Sequence, residues 1–140
     1  MSDSNQPGIG EYRLIRPESV EWQPFAGFPT AARLAILVGD PIQAGPYVIR
    51  VSVPAGERMQ PYRHSGDRIY TVLSGVFYIG VGEQFDEAKL TACGPGSLAV
   101  VPRSLAHFHW AKSGGYVVQI SGIGPVALSY VNPHDDPRRG

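Results

Sequence analysis

Two histidines, a tyrosine and an arginine are the residues of this chain best suited to chemistry. Tyr62 and His64 are two residues apart, as are His107 and His109, so on extended segments each pair points to one face. A free imidazole has a pKa of about 6.5 and exchanges protons readily at neutral pH. Tyr62 can hydrogen-bond an oxyanion, and Arg68 can hold a carboxylate, phosphate or enolate by a two-point contact. We therefore predict an acid–base site of His64, His107, Tyr62 and Arg68.

Glycines and prolines place these residues in two spaced motifs. The first is Gly56-x5-Tyr62-x-His64-x3-Arg68-x6-Gly75, and the second is Gly96-x5-Pro102-x-Ser104-x2-His107. The chain resembles a single-domain cupin, whose motifs read Gly-x5-His-x-His-x3-Glu-x6-Gly and Gly-x5-Pro-x-Gly-x2-His. The resemblance extends from about Gly45 to Pro133. It implies an all-β cupin-type double-stranded β-helix, or jelly-roll barrel, with Tyr62, His64, Arg68 and His107 facing its interior.

The resemblance also raises the question of a metal ion. A typical cupin holds one with two histidines and a glutamate from the first motif and a histidine from the second, but here only His64 and His107 remain at those positions. Arg68 replaces the glutamate, and two unit charges ~4 Å apart at an effective dielectric of ~20 interact by about 4 kcal/mol, roughly doubled against a divalent ion. We therefore expect no cofactor. The alternative is a divalent transition metal on His64 and His107, with Tyr62 or His109, as in an oxygenase.

Isomerisation, dehydration or elimination, and cyclisation of an anionic or carbonyl-bearing substrate fit the metal-free site. A third hypothesis is a non-catalytic module that binds an anionic ligand on Arg68. Each residue also has a structural interpretation. Arg68 could form an ion pair with Asp67 or Glu57, and Tyr62 could pack in the core with its hydroxyl satisfied.

Composition favours the same all-β class. The 140 residues include 17 glycines and 13 prolines, which separate short apolar runs. We predict a flexible N-terminus over residues 1–10, one barrel domain over 11–133 and a polar tail over 134–140. The predicted strands are Glu11–Ile15, Arg33–Val38, Tyr47–Val53, Ile69–Leu73, Val76–Val81, Leu98–Val101, Ala106–Trp110, Tyr116–Ser121 and Val126–Val131. Gly75, Gly94 and Gly96 are predicted turn residues.

Charge and targeting signals indicate which partners to expect. The formal net charge is zero and the basic residues are scattered, so we expect neither a nucleic acid nor a membrane as partner. Cys93 is the only cysteine, which excludes an intrachain disulfide. The polar N-terminal sequence lacks a signal-peptide pattern, and we expect a cytoplasmic protein that acts on a small molecule. The cupin resemblance further implies a homodimer, formed either through the sheets or by exchange of N-terminal strands, for which the segment Gly8 to Val38 is long enough.

Overall fold

Two antiparallel sheets build the described part of the chain, residues 9–29 and 31–139 of a computed structural model. The strands are β1 (Gln23–Pro24), β2 (Arg33–Val38), β3 (Gly45–Val53), β4 (Arg58–His64), β5 (Arg68–Ser74), β6 (Phe77–Val81), β7 (Thr91–Cys93), β8 (Leu98–Val101), β9 (His107–Trp110), β10 (Tyr116–Gly124) and β11 (Leu128–Tyr130). Short 3-10 turns cover Pro17–Ser19, Glu87–Lys89, Pro133–Asp135 and Pro137–Arg139. The six-stranded sheet runs β1-β2-β3-β10-β5-β8, and the five-stranded sheet runs β11-β4-β9-β6-β7.

The core lies between the sheets because buried residues alternate along the central strands. On β3, Ile49 and Val51 are inward members of an alternating set, and the residues between them are only half-buried. Strand β10 pairs antiparallel with β3, so that Ile120 lies opposite Ile49. Since successive side chains of a strand point to opposite faces, this register gives the six-stranded sheet one apolar face. The predicted all-β class is confirmed.

The glycine that ends the first motif is required by the turn between β5 and β6. Gly75 has φ of +74°, and a Cβ atom there would clash with the carbonyl oxygen of Gly115. Gly96 also has a positive φ, of +90°, in the turn between β7 and β8. Side chains other than hydrogen strain such a backbone, so the prediction of turn glycines at both positions is confirmed.

Most strand predictions agree with the structure, and two of them, β2 and β8, have the predicted bounds. The predicted strand Glu11–Ile15 is wrong, because those residues are not paired in a sheet. Gln23 and Pro24 pair instead with β2 at the edge of the six-stranded sheet. Arg13 contacts β2 through its side chain, whose Nη2 donates a hydrogen bond to the carbonyl of Leu37 at 3.2 Å.

Strand β4 was not predicted, although it carries half of the site. Its sequence, RMQPYRH, is polar and contains Pro61, which has no amide hydrogen for a sheet ladder. The structure accommodates the proline at an irregularity: β4 shifts its register against β9 between Met59 and Tyr62. Strands β1 and β7 were also missed, and both are only two or three residues long.

The structure describes the two ends of the chain to different extents. Only Ile9 and Gly10 of the predicted flexible N-terminus are described, and both are exposed; the rest lies outside the described residues. The polar C-terminal segment packs back on β11, where Arg138 Nη2 donates to the carbonyl of Leu128 at 3.0 Å. Among the helical segments that the structure describes, none has the length and hydropathy to cross a membrane.

Candidate functional site

Neighbouring strands β4 and β9 bring the predicted histidines together. Tyr62 lies opposite His107 in the register, and Met59 lies opposite His109. The ring centroids of His64 and His107 are 5.0 Å apart, and those of His107 and His109 are 4.9 Å apart. The Tyr62 ring packs on His107 with centroids 4.4 Å apart. The expected shared face of each pair is confirmed, and all four rings are buried.

The opposite sheet supplies two tyrosines and the arginine. Arg68 and Tyr70 are two residues apart on β5, so both point into the core, where they are 3% and 1% exposed. Tyr47 on β3 approaches from the same sheet, and its hydroxyl accepts a hydrogen bond from Arg68 Nε at 3.1 Å. Sequence reasoning missed Tyr70 and Tyr47. The two-residue spacing of Tyr70 from Arg68 was the signal that could have found it.

A chain of hydrogen bonds connects His107 to His109 through the two tyrosines. His107 Nε2 lies 3.3 Å from the Tyr70 hydroxyl, which lies 3.1 Å from the Tyr62 hydroxyl, and this in turn lies 3.0 Å from His109 Nε2. The direction of every bond follows from one backbone group. The Leu105 carbonyl, 3.0 Å from His107 Nδ1, can only accept, so Nδ1 carries the proton and Nε2 is an acceptor.

The remaining protons then have one arrangement. Tyr70 donates to His107, so Tyr62 must donate to Tyr70, and His109 Nε2–H must donate to Tyr62. This leaves the lone pair of His109 on Nδ1, a buried atom with no protein partner in the described structure. The neutral chain is therefore polarised from His109 towards His107.

His64 presents a second lone pair of the same kind. Its Nδ1 lies 2.6 Å from the carbonyl oxygen of Gly66, so Nδ1 is the protonated nitrogen. Its Nε2 is buried, and no described protein group bonds to it. Buried polar atoms are nearly always hydrogen-bonded in native proteins, so an orphaned pair of imidazole acceptors in one cluster is a mark of a functional site.

Arg68 is a buried cation without a carboxylate. Neither Asp67 nor Glu57 forms an ion pair with it, and the ion pairs among the described residues involve other arginines and a lysine. The structural interpretation of Arg68 as an ion-pair member is therefore wrong for both residues. Asp67 Oδ1 instead accepts from the backbone N–H of Arg103 at 2.8 Å. Arg68 Nη1 is buried and lacks a partner among the described protein groups.

The charge state of the cluster follows from burial and from Arg68. Burial, and then the charge of Arg68, lowers the pKa of His64 to about 4. Burial is also the largest cause that lowers the pKa of His107 to about 4, with further contributions from His64 and Arg68. His109 shifts in the same direction. All three imidazoles are thus neutral at pH 7, and burial raises the pKa of Tyr62 well above its usual value, so its hydroxyl keeps its proton.

An apolar cavity of about 520 Å³ lies beside Arg68. Both sheets contribute to it, together with the segment before β2, and its apolar walls include Phe25, Phe28, Leu34, Ile36, Ile49, Val126 and Leu128. Leu128 is paired with His64 across β11 and β4, and directly opposite residues share a face of their sheet. His64 therefore faces the side on which this cavity, here called the inner cavity, lies.

The donor set does not fit the metal ion that the cupin resemblance implies. In the described ranges no group of three or more His, Cys, Asp or Glu side chains is arranged to hold an ion. Of the imidazoles, His107 already accepts a hydrogen bond from Tyr70, while Arg68 adds a permanent positive charge. Neutral nitrogens next to a guanidinium offer none of the negative charge that balances a divalent ion.

Comparison with solved structures identifies the architecture, whereas comparison of sequences finds no match. No family model matches the chain, and no curated protein matches it in sequence. The polyketide cyclase RemF from Streptomyces resistomycificus matches with a TM-score of 0.74 at 15% identity, over 91% of this chain and 91% of that chain. An RmlC-like cupin from Shewanella frigidimarina matches with a TM-score of 0.62 at 14% identity, over 81% of this chain and 93% of that chain. The chain has the cupin fold.

Other proteins of this fold are enzymes. The DMSP lyase DddQ from Ruegeria pomeroyi matches with a TM-score of 0.67 at 16% identity, over 83% of this chain and 63% of that chain. The cupin-fold structures similar to this chain thus include a cyclase and a lyase. At these identities the likeness establishes the fold and leaves the reaction of this chain open.

The second cupin motif departs from its usual glycine without losing its turn. Ser104 has φ of +67°, the only positive φ of a non-glycine residue in the described ranges. Its N–H donates to the carbonyl of His64 at 2.8 Å, and its own carbonyl accepts from Arg63 Nε at 3.1 Å. The turn before β9 is thereby tied to the backbone of β4, which fixes His64 relative to His107.

Proposed function

We propose that this chain is a small-molecule enzyme that works by metal-independent acid–base catalysis, in a reaction of the isomerase, lyase or cyclase type. The observation that carries the proposal is the juxtaposition of two neutral imidazoles bearing unpartnered lone pairs with a buried, unpaired guanidinium. A base and a fixed cation are the two groups needed to form and stabilise an enolate.

In this proposal His64 is the general base. Its Nε2 lone pair takes a proton from carbon next to a carbonyl group, and Gly66 stabilises the resulting imidazolium through its carbonyl at Nδ1. Arg68 Nη1 holds the negative charge that develops on the substrate oxygen, in a site that excludes water and so strengthens the interaction. The proton is returned at a different carbon in isomerisation, or a leaving group departs in elimination.

His107 and Tyr62 act as one unit with their neighbours. A proton accepted at His109 Nδ1 would move along the chain by successive transfers, from His109 Nε2 to Tyr62, from Tyr62 to Tyr70, and from Tyr70 to His107 Nε2. His107 would then carry the charge next to the accepting Leu105 carbonyl. This relay allows a second proton to be taken up and returned within one turnover.

Hydrogen–deuterium exchange tests the base without knowledge of the natural substrate. In D2O, proton NMR would follow the C–H signals of pyruvate and phenylpyruvate, with the uncatalysed rate subtracted. We expect exchange that persists in excess EDTA and falls about 100-fold or more in His64→Ala, in line with the usual contribution of a general base. His134→Ala is the matched control, because His134 is exposed on the C-terminal segment.

Three outcomes would overturn the proposal. One is exchange that survives in His64→Ala, and another is activity that requires a stoichiometric transition metal in elemental analysis of the purified protein. The third is tight binding of a probe without exchange or product, which favours the ligand-binding module. A cytoplasmic location and a homodimer stay predictions, and a monomeric mass in solution would contradict the dimer.

A further inference from the structure

We infer that the inner cavity binds an amphipathic monoanion, a carboxylate joined to an aliphatic or aromatic body. The inference rests on the proposed function, since it assigns a substrate class to the same arginine. It is carried by three observations about the cavity: its buried arginine, which forms no ion pair among the described residues, its apolar walls and its volume.

The charge count points to one negative group. Of the residues that the structure describes, three charged ones line the inner cavity, namely Asp40, Arg68 and Arg138. Arg138 is already neutralised by Asp136, with Nε–Oδ1 at 2.9 Å and Nη2–Oδ2 at 3.0 Å. Asp40 accepts from the backbone N–H of Ile42 at 3.1 Å, and its charge disfavours a second anionic group nearby. Arg68, 3% exposed and with Nη1 unpartnered, therefore calls for a ligand with a single negative charge.

The walls point to an apolar body. Phe25 and Phe28 form an edge-to-face pair with centroids 4.8 Å apart on one side, and aliphatic residues of both sheets form the rest. Two isoleucines of the lining are exposed to an extent unusual for an inward-facing surface, Ile36 at 44% and Ile42 at 67%. A ligand body seated in the cavity would cover both. A volume of about 520 Å³ is within the range of pockets that hold drug-sized ligands.

The neighbouring base restricts the class further. His64 faces the same side of its sheet as the lining residue Leu128, and its Nε2 can only accept a hydrogen bond or a proton. A carboxylate with an acidic C–H or a hydroxyl one or two atoms away would satisfy Arg68 and His64 together. Sugar phosphates fit poorly, because they bring two negative charges and a polar body.

Isothermal titration calorimetry with four probes tests the charge. The probes are 3-phenylpropionate, its neutral amide 3-phenylpropionamide, propionate and phenyl phosphate, in a buffer whose only small anion is chloride. We expect 3-phenylpropionate to bind about ten- to a hundred-fold more tightly than the amide, as one charge-assisted hydrogen-bond pair predicts. Propionate and phenyl phosphate should both bind more weakly. Equal affinity for carboxylate and amide, or tighter binding of the phosphate, would overturn the inference.

Substitutions locate the probe. Arg68→Met should abolish the preference for carboxylate over amide, and Arg68→Lys, which keeps the charge without the planar fork, should retain part of it. Arg68 also lines a second cavity of about 760 Å³, together with Ile69, Val100, Arg103 and Ile123 among others, so residues that line only one of the two cavities supply the matched controls. Arg103→Met should leave the affinities unchanged. Loss of binding in Arg103→Met with normal binding in Arg68→Met would place the ligand in that second cavity and refute the inference.

A matched pair of isoleucines tests the apolar body. Ile36 is 44% exposed in the inner cavity, and Ile69 is 42% exposed in the second one. Ile36→Thr should weaken 3-phenylpropionate about three-fold or more and leave propionate unchanged, whereas Ile69→Thr should change neither. Binding without C–H exchange would refute the proposed catalysis but not this inference. Exchange on phenylpyruvate that depends on His64 and Arg68 but is indifferent to Ile36 would refute the inference but not the catalysis.

Discussion

Replacing Arg68 by methionine should make the protein more stable while it removes function. Most substitutions of buried residues destabilise, so the sign of this change is a sharp test. A guanidinium that is 3% exposed and forms no ion pair among the described residues has lost most of its hydration without a carboxylate to compensate its charge. Methionine has a similar unbranched length and packs readily in apolar surroundings.

The magnitude follows from two opposing terms. The effective cost of burying one ion in a real protein is several kcal/mol. Because the surrounding tyrosine hydroxyls already solvate the charge of Arg68 in part, we expect the substitution to remove about 4 kcal/mol of this cost. The lost hydrogen bond from Arg68 Nε to Tyr47, 3.1 Å long, offsets about 2 kcal/mol of this. The expected net gain in the free energy of unfolding is about 2 kcal/mol, which for a domain of this size raises Tm by roughly 6 °C.

Scanning calorimetry in chloride buffer measures the effect, because carboxylate or phosphate buffers would stabilise the wild type selectively. Arg103→Met removes an exposed arginine and should shift Tm by no more than about 1 °C. A fall in Tm for Arg68→Met would refute the reasoning. It would mean that the guanidinium is stabilised by groups other than a ligand and that its burial serves the fold.

Three further predictions test the site and its supports. Tyr70→Phe removes the hydroxyl that donates to His107, so C–H exchange should fall about ten-fold or more. The 15N NMR chemical shifts of the His107 and His109 imidazoles should also change, and unaltered shifts would exclude the hydrogen-bond chain. His64 and His107 have folded pKa values of about 4 against 6.5 for a free imidazole, so as pH falls from 6.5 to 4 the unfolded chain binds protons that the folded chain does not. The free energy of unfolding should therefore be highest above pH 6.5 and decline by several kcal/mol towards pH 4, whereas urea unfolding curves with no such decline would contradict the buried neutral state. Ser104→Gly should relieve the left-handed backbone at φ +67° and add about 1 kcal/mol of stability, and a lower Tm would show that the serine hydroxyl supports the turn.

The sequence was sufficient for the fold because glycine and proline positions are backbone requirements. Gly75 and Gly96 mark turns that other residues would strain, and the histidines lie at fixed distances from them, His64 before Gly75 and His107 after Gly96. The same reasoning failed for β4, since Pro61 and its polar neighbours do not resemble a central strand. The register irregularity that accommodates the proline depends on β9, which is distant in sequence.

The environment of Arg68 was only partly predictable. Asp67 was a natural candidate because it is adjacent in sequence, but it lies just before β5 and its Oδ1 accepts from the backbone N–H of Arg103, a contact that the sequence does not reveal. That no carboxylate of the described residues forms an ion pair with Arg68 depends on the packing of both sheets. The proton arrangement of the imidazoles was likewise hidden, because it depends on the backbone carbonyls of Gly66 and Leu105 rather than on side-chain identity.

The short turn from Pro102 to Ala106 has an influence out of proportion to its size. Its Leu105 carbonyl selects one of two opposite directions for the row of three hydrogen bonds that runs from His107 through Tyr70 and Tyr62 to His109. Reversing one of these bonds would require all three to reverse together. A mutation that merely rotates this peptide plane would leave every aromatic ring in place and yet exchange the proton-accepting end of the row with its donating end. Variants of this turn would thus change which histidine accepts a proton, while their crystal structures looked almost unchanged.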